Sequence, residues 1–209
     1  MAKQSIVPFG PQHPVLPEPI HLDLVLEDEK VLACHEQVMD RGQGEALIPI
    51  IAQVLENAQK KPTDITGVAV AVGPGSFTGV RVGLSTARGI GLALNVPVYG
   101  VTNFEASAYG ISVPVVATLD TKRGDYFTQA FDDKGPASEA KTHSANDLKS
   151  DLPFVAVGDG AEKLSAEIGC DVLQKTVPSA VAIGKIALNR LETPLPPEPL
   201  YLRDADVTV

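Results

Sequence analysis

The most constraining stretch of this chain is a short apolar run at residues 67–72. It leads directly into Gly73-Pro74-Gly75-Ser76-Phe77-Thr78-Gly79 and then into helical periodicity ending near Leu94. A continuous apolar run of this length, stopped by turn residues, reads as a strand buried on both faces. The glycines and proline end it sharply, and a helix is predicted over about residues 80–94, followed by a second short strand at 96–101. Strand, glycine-rich turn, helix and strand form a βαβ unit. That requires a parallel sheet with helices on its faces, an α/β protein.

The flanking segments extend this reading. Residues 8–19 carry five prolines, which forbid a helix and favour an extended arm. Residues 20–26 and 31–38 read as a hairpin around Asp28-Glu29-Lys30, and residues 4–7 could supply a short first strand. Leu47, Ile50, Ile51, Val54, Leu55 and Ala58 recur at three and four spacing, a helix over 43–60. Beyond Thr102 a short helix is predicted at 104–109 and a hairpin at 113–119 and 126–131. A helical turn near 145–149, a strand at 154–157 and helices at 161–168 and 181–191 follow, then an extended stretch over 194–199. A division near 101–103 gives two lobes: 30–101, preceded by an atypical proline-rich arm and strand at 1–29, and 102–209.

Composition removes several function classes. Seventeen basic against 26 acidic side chains leave a net charge of −9, so the chain's own field does not hold it to nucleic acid or anionic lipid. Trp is absent and aromatics are 5%, which disfavours a stacking reader of single strands. The two cysteines, Cys34 and Cys170, form no metal pattern and suit a reducing compartment such as the cytoplasm. No apolar leader is visible. The most apolar stretch, residues 80–101, is interrupted by Arg81, Arg88 and Asn95, so no membrane span is expected.

A glycine-rich turn opening a helix presents free backbone N–H groups where an anion is favoured. The familiar motifs fail in detail. There is no lysine for a P-loop, Thr78 stands where a dinucleotide loop has its third glycine, and Ser76 lacks the flanking glycines of a nucleophile elbow. Two readings stay open: a tight turn with Ser76 or Thr78 as N-cap, or an anion or partner contact involving Gly73–Gly79, Arg81 and, from another turn, Arg123. The following helix carries Gly83, Ala87 and Gly91 at spacings of four. This stripe allows close backbone approach, either to the chain's own sheet or to a helix of another subunit.

Other candidates are weaker. His13, His21, His35 and His143 form no metal pair, although His21 and His35 could face one another across the hairpin. Asp120, Asp125, Asp132 and Asp133 gather around the second hairpin, but Lys122 and Arg123 between them indicate a salt-bridged turn rather than a magnesium site. Asp159, in Gly158-Asp159-Gly160, reads as a turn residue.

Taken together, Gly73-Pro-Gly-Ser-Phe-Thr-Gly-Val-Arg-Val-Gly83, Ala87-Arg-Gly-Ile-Gly91 and Val96-Pro-Val-Tyr-Gly-Val-Thr102 resemble the bacterial TsaB (YeaZ) family, which serves threonylcarbamoyladenosine synthesis in tRNA. Asp120-Thr-Lys-Arg-Gly-Asp-Tyr126, Val157-Gly-Asp-Gly160 and Pro199-Leu-Tyr-Leu-Arg-Asp-Ala-Asp-Val-Thr208 extend the resemblance over about residues 30–208. It implies an actin-like (ASKHA) fold of two RNase H-like lobes. It also implies a non-catalytic subunit docked on a TsaD-like catalytic partner, with no metal and no intrinsic cofactor. ATP or ADP would sit at the interface with that partner, near Arg123. A TsaE-like ATPase would be reached through the complex, tRNA would be met only indirectly, and a homodimer is the alternative assembly. The helices at 43–60 and 80–94 would form a four-helix contact through Leu47, Ile51, Val80, Gly83, Leu84, Ala87 and Gly91. An autonomous nucleotide-binding or glycopeptidase-like hydrolytic enzyme of the same fold is the competing expectation.

The start of the chain departs from that pattern. No Asp-Thr-Ser loop precedes residue 40. Residues 9–28 instead resemble the beginning of nickel–iron hydrogenase and respiratory-complex large subunits, without their paired metal cysteines. This reads as a joined segment, with chance or divergence as the alternatives, and it predicts a first lobe that is incomplete or altered.

Overall fold

The computed structural model describes residues 5–9, 20–38, 42–112, 114–149, 151, 153–174 and 178–203. Most of the proline-rich arm, His13 and the tail beyond Arg203 lie outside the described residues. Two sheets organise the chain. The first has the order β3-β2-β1-β4-β5, built from β1 (Ser5–Phe9), β2 (Ile20–Glu27), β3 (Lys30–Val38), β4 (Gly67–Gly73) and β5 (Val98–Thr102). β1 to β3 pair antiparallel, while β1, β4 and β5 run parallel, an RNase H-like arrangement. All five strands of the first lobe are therefore present, and the segment expected to be foreign forms β2. Pairing of β1 with β2 is set at Ser5, Ile6 and Phe9 and passes over Pro8, which has no N–H to donate.

Both faces of this sheet are covered, which is why β4 reads as an unbroken apolar run. Val68, Val70 and Val72 point to one face, under α1 (Gln43–Asn57) and α2 (Phe77–Leu94). Ala69 points to the other, where it meets Tyr99, Val101 and, from α6 (Ala180–Leu188), Ala182, Ile183, Ile186 and Ala187. Thus α6, although it lies in the 102–209 span, packs on the first sheet. The segment after it stays there: Gly100 N–H donates to Leu195 O at 2.9 Å, and Leu200 N–H to Val72 O at 2.8 Å. A Cβ on Gly100 would stand 2.5 Å from Pro196 O, so only glycine admits this strap against β5.

The second sheet has the order β11-β10-β6-β7-β8, with β9 also on β7. Its strands are β6 (Val115–Asp120), β7 (Tyr126–Asp132), β8 (Gly135–Pro136), β9 (Lys141–His143), β10 (Val155–Val157) and β11 (Asp171–Gln174). One face buries Tyr126 and Ala156 under α4 (Ala145–Lys149) and α5 (Ala161–Ile168). The other buries Val115, Ala117, Leu119 and Val157 under α3 (Asn103–Ala108), whose Phe104 joins this core while its Ala106 joins the first. α3 is thus the hinge block between the lobes. Its start is fixed by a capping box, in which Thr102 Oγ1 accepts from Glu105 N–H at 3.1 Å and the Glu105 carboxylate accepts from Thr102 N–H at 2.9 Å. Arg190, beyond α6, pairs with Glu105 and ties this block to the first lobe.

Candidate functional site

The glycine-rich turn is built from three directions. Gly73 has φ of +99°, and the Gly73–Pro74 peptide is cis. Asn103, the first residue of α3, donates from Nδ2 to Pro74 O at 2.8 Å and is only 8% exposed. From the opposite side, the strap lies over the turn through Leu200. Ser76, not Thr78, is the N-cap of α2: its Oγ accepts from Gly79 N–H at 3.4 Å. The open question of the turn is thereby partly answered, since its backbone is locked by Asn103 and the strap and its serine is used as a cap.

At the start of α2, Arg81 and Phe77 meet Tyr201 of the strap. Arg81 Nε donates to Tyr201 Oη at 2.8 Å, and the guanidinium lies 3.6 Å from the centre of the Phe77 ring. The two rings are 5.8 Å apart and tilted by 33°. Both remain in contact with solvent, Phe77 at 46% and Tyr201 at 47% exposure. Tyr201 was not among the residues expected from sequence. It lies 120 positions from Arg81, and no local pattern links them.

The residues expected to face a partner mostly do not. Leu47, Ile51, Leu84, Ala87 and Gly91 are buried in the first lobe's own core. A Cβ on Gly91 would stand 2.4 Å from Val98 Cγ2, and one on Gly83 3.7 Å from Val70 Cγ2. The small-residue stripe thus lets α2 settle on β4 and β5, and Val80 is half-buried over Gly73 and Gly75. The outer side of α2 carries Arg81, Ser85, Arg88, Gly89 and Leu92 instead, with Leu92 at 86% exposure, and α1 adds Ile48 at 55%. The periodicity that marks the apolar face of a helix also marks its core face.

In the second lobe the turn after β6 is a network of ion pairs. Asp120 accepts from Lys122 N–H at 2.8 Å and pairs with Lys163 at 3.2 Å and Lys122 Nζ at 3.3 Å. Burial works against its ionisation, but these donors outweigh it and hold its carboxyl below the ordinary carboxylate range. Asp125 is likewise lowered, first by the Thr121 hydroxyl and then by Arg203 of the strap. Arg123 is exposed on this turn, its N–H donating to Thr121 Oγ1 at 3.2 Å. Arg81 and Arg123 therefore lie on separate lobes that the strap joins, through Tyr201 to one and Arg203 to the other.

Asp159 is a turn residue locked onto β6: its Oδ1 accepts from Asp120 N–H at 3.0 Å. At Gly158, φ is +110° and a Cβ would meet Thr118 O at 2.3 Å. Asp132 accepts from Lys134 N–H at 2.8 Å in a local turn. His143 Nδ1 hydrogen-bonds Thr128 Oγ1 at 2.7 Å. His35 is opposite Asp23 in the hairpin register, and His21 opposite Gln37, so the two histidines are not direct partners. Among the described residues no three His, Cys, Asp or Glu side chains gather as a metal set, and no helix is long and apolar enough to cross a membrane.

Comparison with known proteins gives the family. The model described as "TsaD: tRNA N6-adenosine threonylcarbamoyltransferase" matches residues 37–147, over half of the chain. An uncharacterized protein of Mycobacterium tuberculosis is 30% identical over 184 residues, spanning 88% of this chain and 83% of that protein. The tRNA threonylcarbamoyladenosine biosynthesis protein TsaB of Escherichia coli is 28% identical over 109 residues, covering 50% of this chain and 47% of its own length. A crystal structure of a Pseudomonas aeruginosa protein similar to YeaZ superposes with a TM-score of 0.79 at 17% identity, over 96% of this chain and 100% of that one, so the actin-like fold is shared. The motif-bearing turn, the two-sheet architecture and these matches agree: the chain belongs to the TsaB (YeaZ) family.

Proposed function

We propose that the chain is the non-catalytic partner subunit of the assembly that transfers a threonylcarbamoyl group onto adenosine of tRNA, docking on a TsaD-like catalytic subunit. The observation that carries this reading is the outer side of α2, where Leu92 is 86% exposed on the side that also carries Ser85, Arg88 and Gly89, with Ile48 exposed on α1. A single exposed leucine is ordinary by itself; it supports a covered surface here together with exposed Ile48, Phe77 and Tyr201 and the family match. Around the β6–β7 turn the side chains that could do acid–base work are already committed. Asp120 and Asp125 are held ionised by Lys122, Lys163, Thr121 and Arg203, and burial together with the Glu167 hydrogen bond raises the Tyr126 hydroxyl. A carboxylate neutralised within its own lobe is a poor general base.

In this reading the chain carries no cofactor of its own. ATP or ADP binds where the two subunits meet, a TsaE-like ATPase joins through the complex, and tRNA is held mainly by the partner, as the net charge of −9 favours. A homodimer through the same helices forms when the partner is absent, and the assembly works in the cytoplasm. The test is reconstitution with the TsaD-like subunit of the same organism, reading modified adenosine in tRNA, alongside Leu92→Asp. Losing a buried leucine at the contact costs about 1.5–3 kcal/mol, which weakens association by about 10- to 150-fold. Unchanged melting of the variant with weakened co-purification and modification is expected. Full modification without this chain, or undiminished binding by Leu92→Asp, overturns the proposal.

A further inference from the structure

We infer that Arg81, bracketed by Phe77 and Tyr201, is the receptor for a single carboxylate of the docking protein, and this rests on the proposal that a protein subunit covers α2. Phe77, Arg81, Ser85 and Leu92 follow one another at helical spacing, so Arg81 stands at the foot of the uncovered apolar stripe. Its Nε is used by the Tyr201 hydroxyl at 2.8 Å, and one face of its guanidinium is covered by Phe77 at 3.6 Å. The two terminal amino groups have no partner among the described residues. The side chain is thus fixed in one pose with its unused edge turned outward. That is the fork which takes both oxygens of a carboxylate, and its ordering cost is met before binding.

The surroundings select a protein carboxylate. The chain has nine more acidic than basic side chains, yet Arg81 leans on two aromatic rings and, among the described residues, on no acid. Half-exposed Phe77 and Tyr201 surround Arg81, while the protruding Leu92 lies further along the helix beside a second exposed cation, Arg88. That is the composition of a protein–protein hot spot, in which aromatic and arginine side chains are enriched and other charges depleted. An RNA phosphate would approach against the net negative field, and the Phe77 face beneath Arg81 is closed to a stacking base.

The experiment measures the affinity of the full-length chain for the TsaD-like subunit by titration calorimetry, with Arg81→Lys, Tyr201→Phe and Leu92→Asp compared. Arg81→Lys keeps the charge but loses the fork, and binding is expected to fall about 10- to 100-fold. Tyr201→Phe keeps the ring but frees the guanidinium, and a smaller loss, about 3-fold, is expected. A double-mutant cycle pairing Arg81→Lys with Asp→Asn and Glu→Gln changes on the partner's contact face should single out one coupled carboxylate. Wild-type affinity in Arg81→Lys, with Leu92→Asp impaired, refutes the carboxylate receptor and leaves the docking proposal standing. Loss of binding to a tRNA-derived oligonucleotide, with subunit affinity intact, assigns the fork to phosphate and likewise refutes it. No binding of the wild-type chain to the subunit removes both proposals.

Discussion

Three glycine-to-alanine changes on α2 differ by how closely the first sheet approaches each position. At Gly89 an added Cβ meets nothing within 4 Å, so the change gives only the helix-propensity gain of about 0.8–1 kcal/mol. At Gly83 the Cβ rests 3.7 Å from Val70 Cγ2, an ordinary contact, and the gain is about the same. At Gly91 it would stand 2.4 Å from Val98 Cγ2 and 3.1 Å from Val96 O. Valine is stiff about χ1 and the carbonyl belongs to the backbone, so neither can step aside cheaply. Overpacking of this kind costs about 1–3 kcal/mol, which outweighs the propensity gain and leaves a net loss of about 1 kcal/mol. For a chain of this size each kcal/mol moves the melting temperature by about 2–4 °C. Gly89→Ala should therefore melt about 4–8 °C above Gly91→Ala, with Gly83→Ala near the former, in thermal unfolding followed by circular dichroism on the isolated chain. Equal melting of the Gly89 and Gly91 variants would refute the assignment of the stripe to the lobe's own packing and return it to an intersubunit contact.

Two further outcomes follow from the titratable groups. Because the Asp120 carboxyl is lowered in the folded chain, its ionised form contributes stability above the ordinary carboxylate value, and this is lost as pH falls through the depressed folded value. Asp120→Asn should be less stable than wild type near pH 7, and denaturant titrations should show the gap closing as pH falls below the ordinary carboxylate range; a gap independent of pH contradicts the ion-pair account. Cys34 is exposed whereas Cys170 is buried, and burial raises its thiol, so a thiol reagent should label one site in the native chain and two after denaturation; fast native labelling of Cys170 would contradict its packing under α5.

What could be read in advance follows the range of the forces involved. β4, α2 and β5 were legible because a doubly buried strand, a glycine-rich break and a helical period are written in adjacent residues. A cap at Ser76 or Thr78 and a salt-bridged turn around Lys122 were legible for the same reason, whereas Lys163 and Arg203 reach that turn from 43 and 78 residues away. β11, four residues on a sheet edge, carries too few side chains for a pattern. The face that the Gly83, Ala87 and Gly91 stripe would meet was not legible, because Val70 and Val98 accept small residues just as another helix would. Nor was the bracket around Arg81, which depends on Tyr201 arriving from the far end of the chain. Local chemistry named the turn correctly, and only the tertiary path showed which of its neighbours face outward.

The return of α6 and the strap to the first sheet makes that lobe the last to finish. Its strands are all synthesised by Thr102, but Ala69, Tyr99 and Val101 stay bare on one side until Ala182, Ile183 and Ile186 arrive. The roughly 80 residues between them take about 4–16 s to emerge at the usual synthesis rate. During that interval the second sheet, whose strands are all contiguous within residues 115–174, can close around its own core. Birth order and completion order are thus inverted. The lobe made first waits, with an adhesive face open, for a clasp encoded last, and the same strap then reaches the second lobe through Leu202 and Arg203.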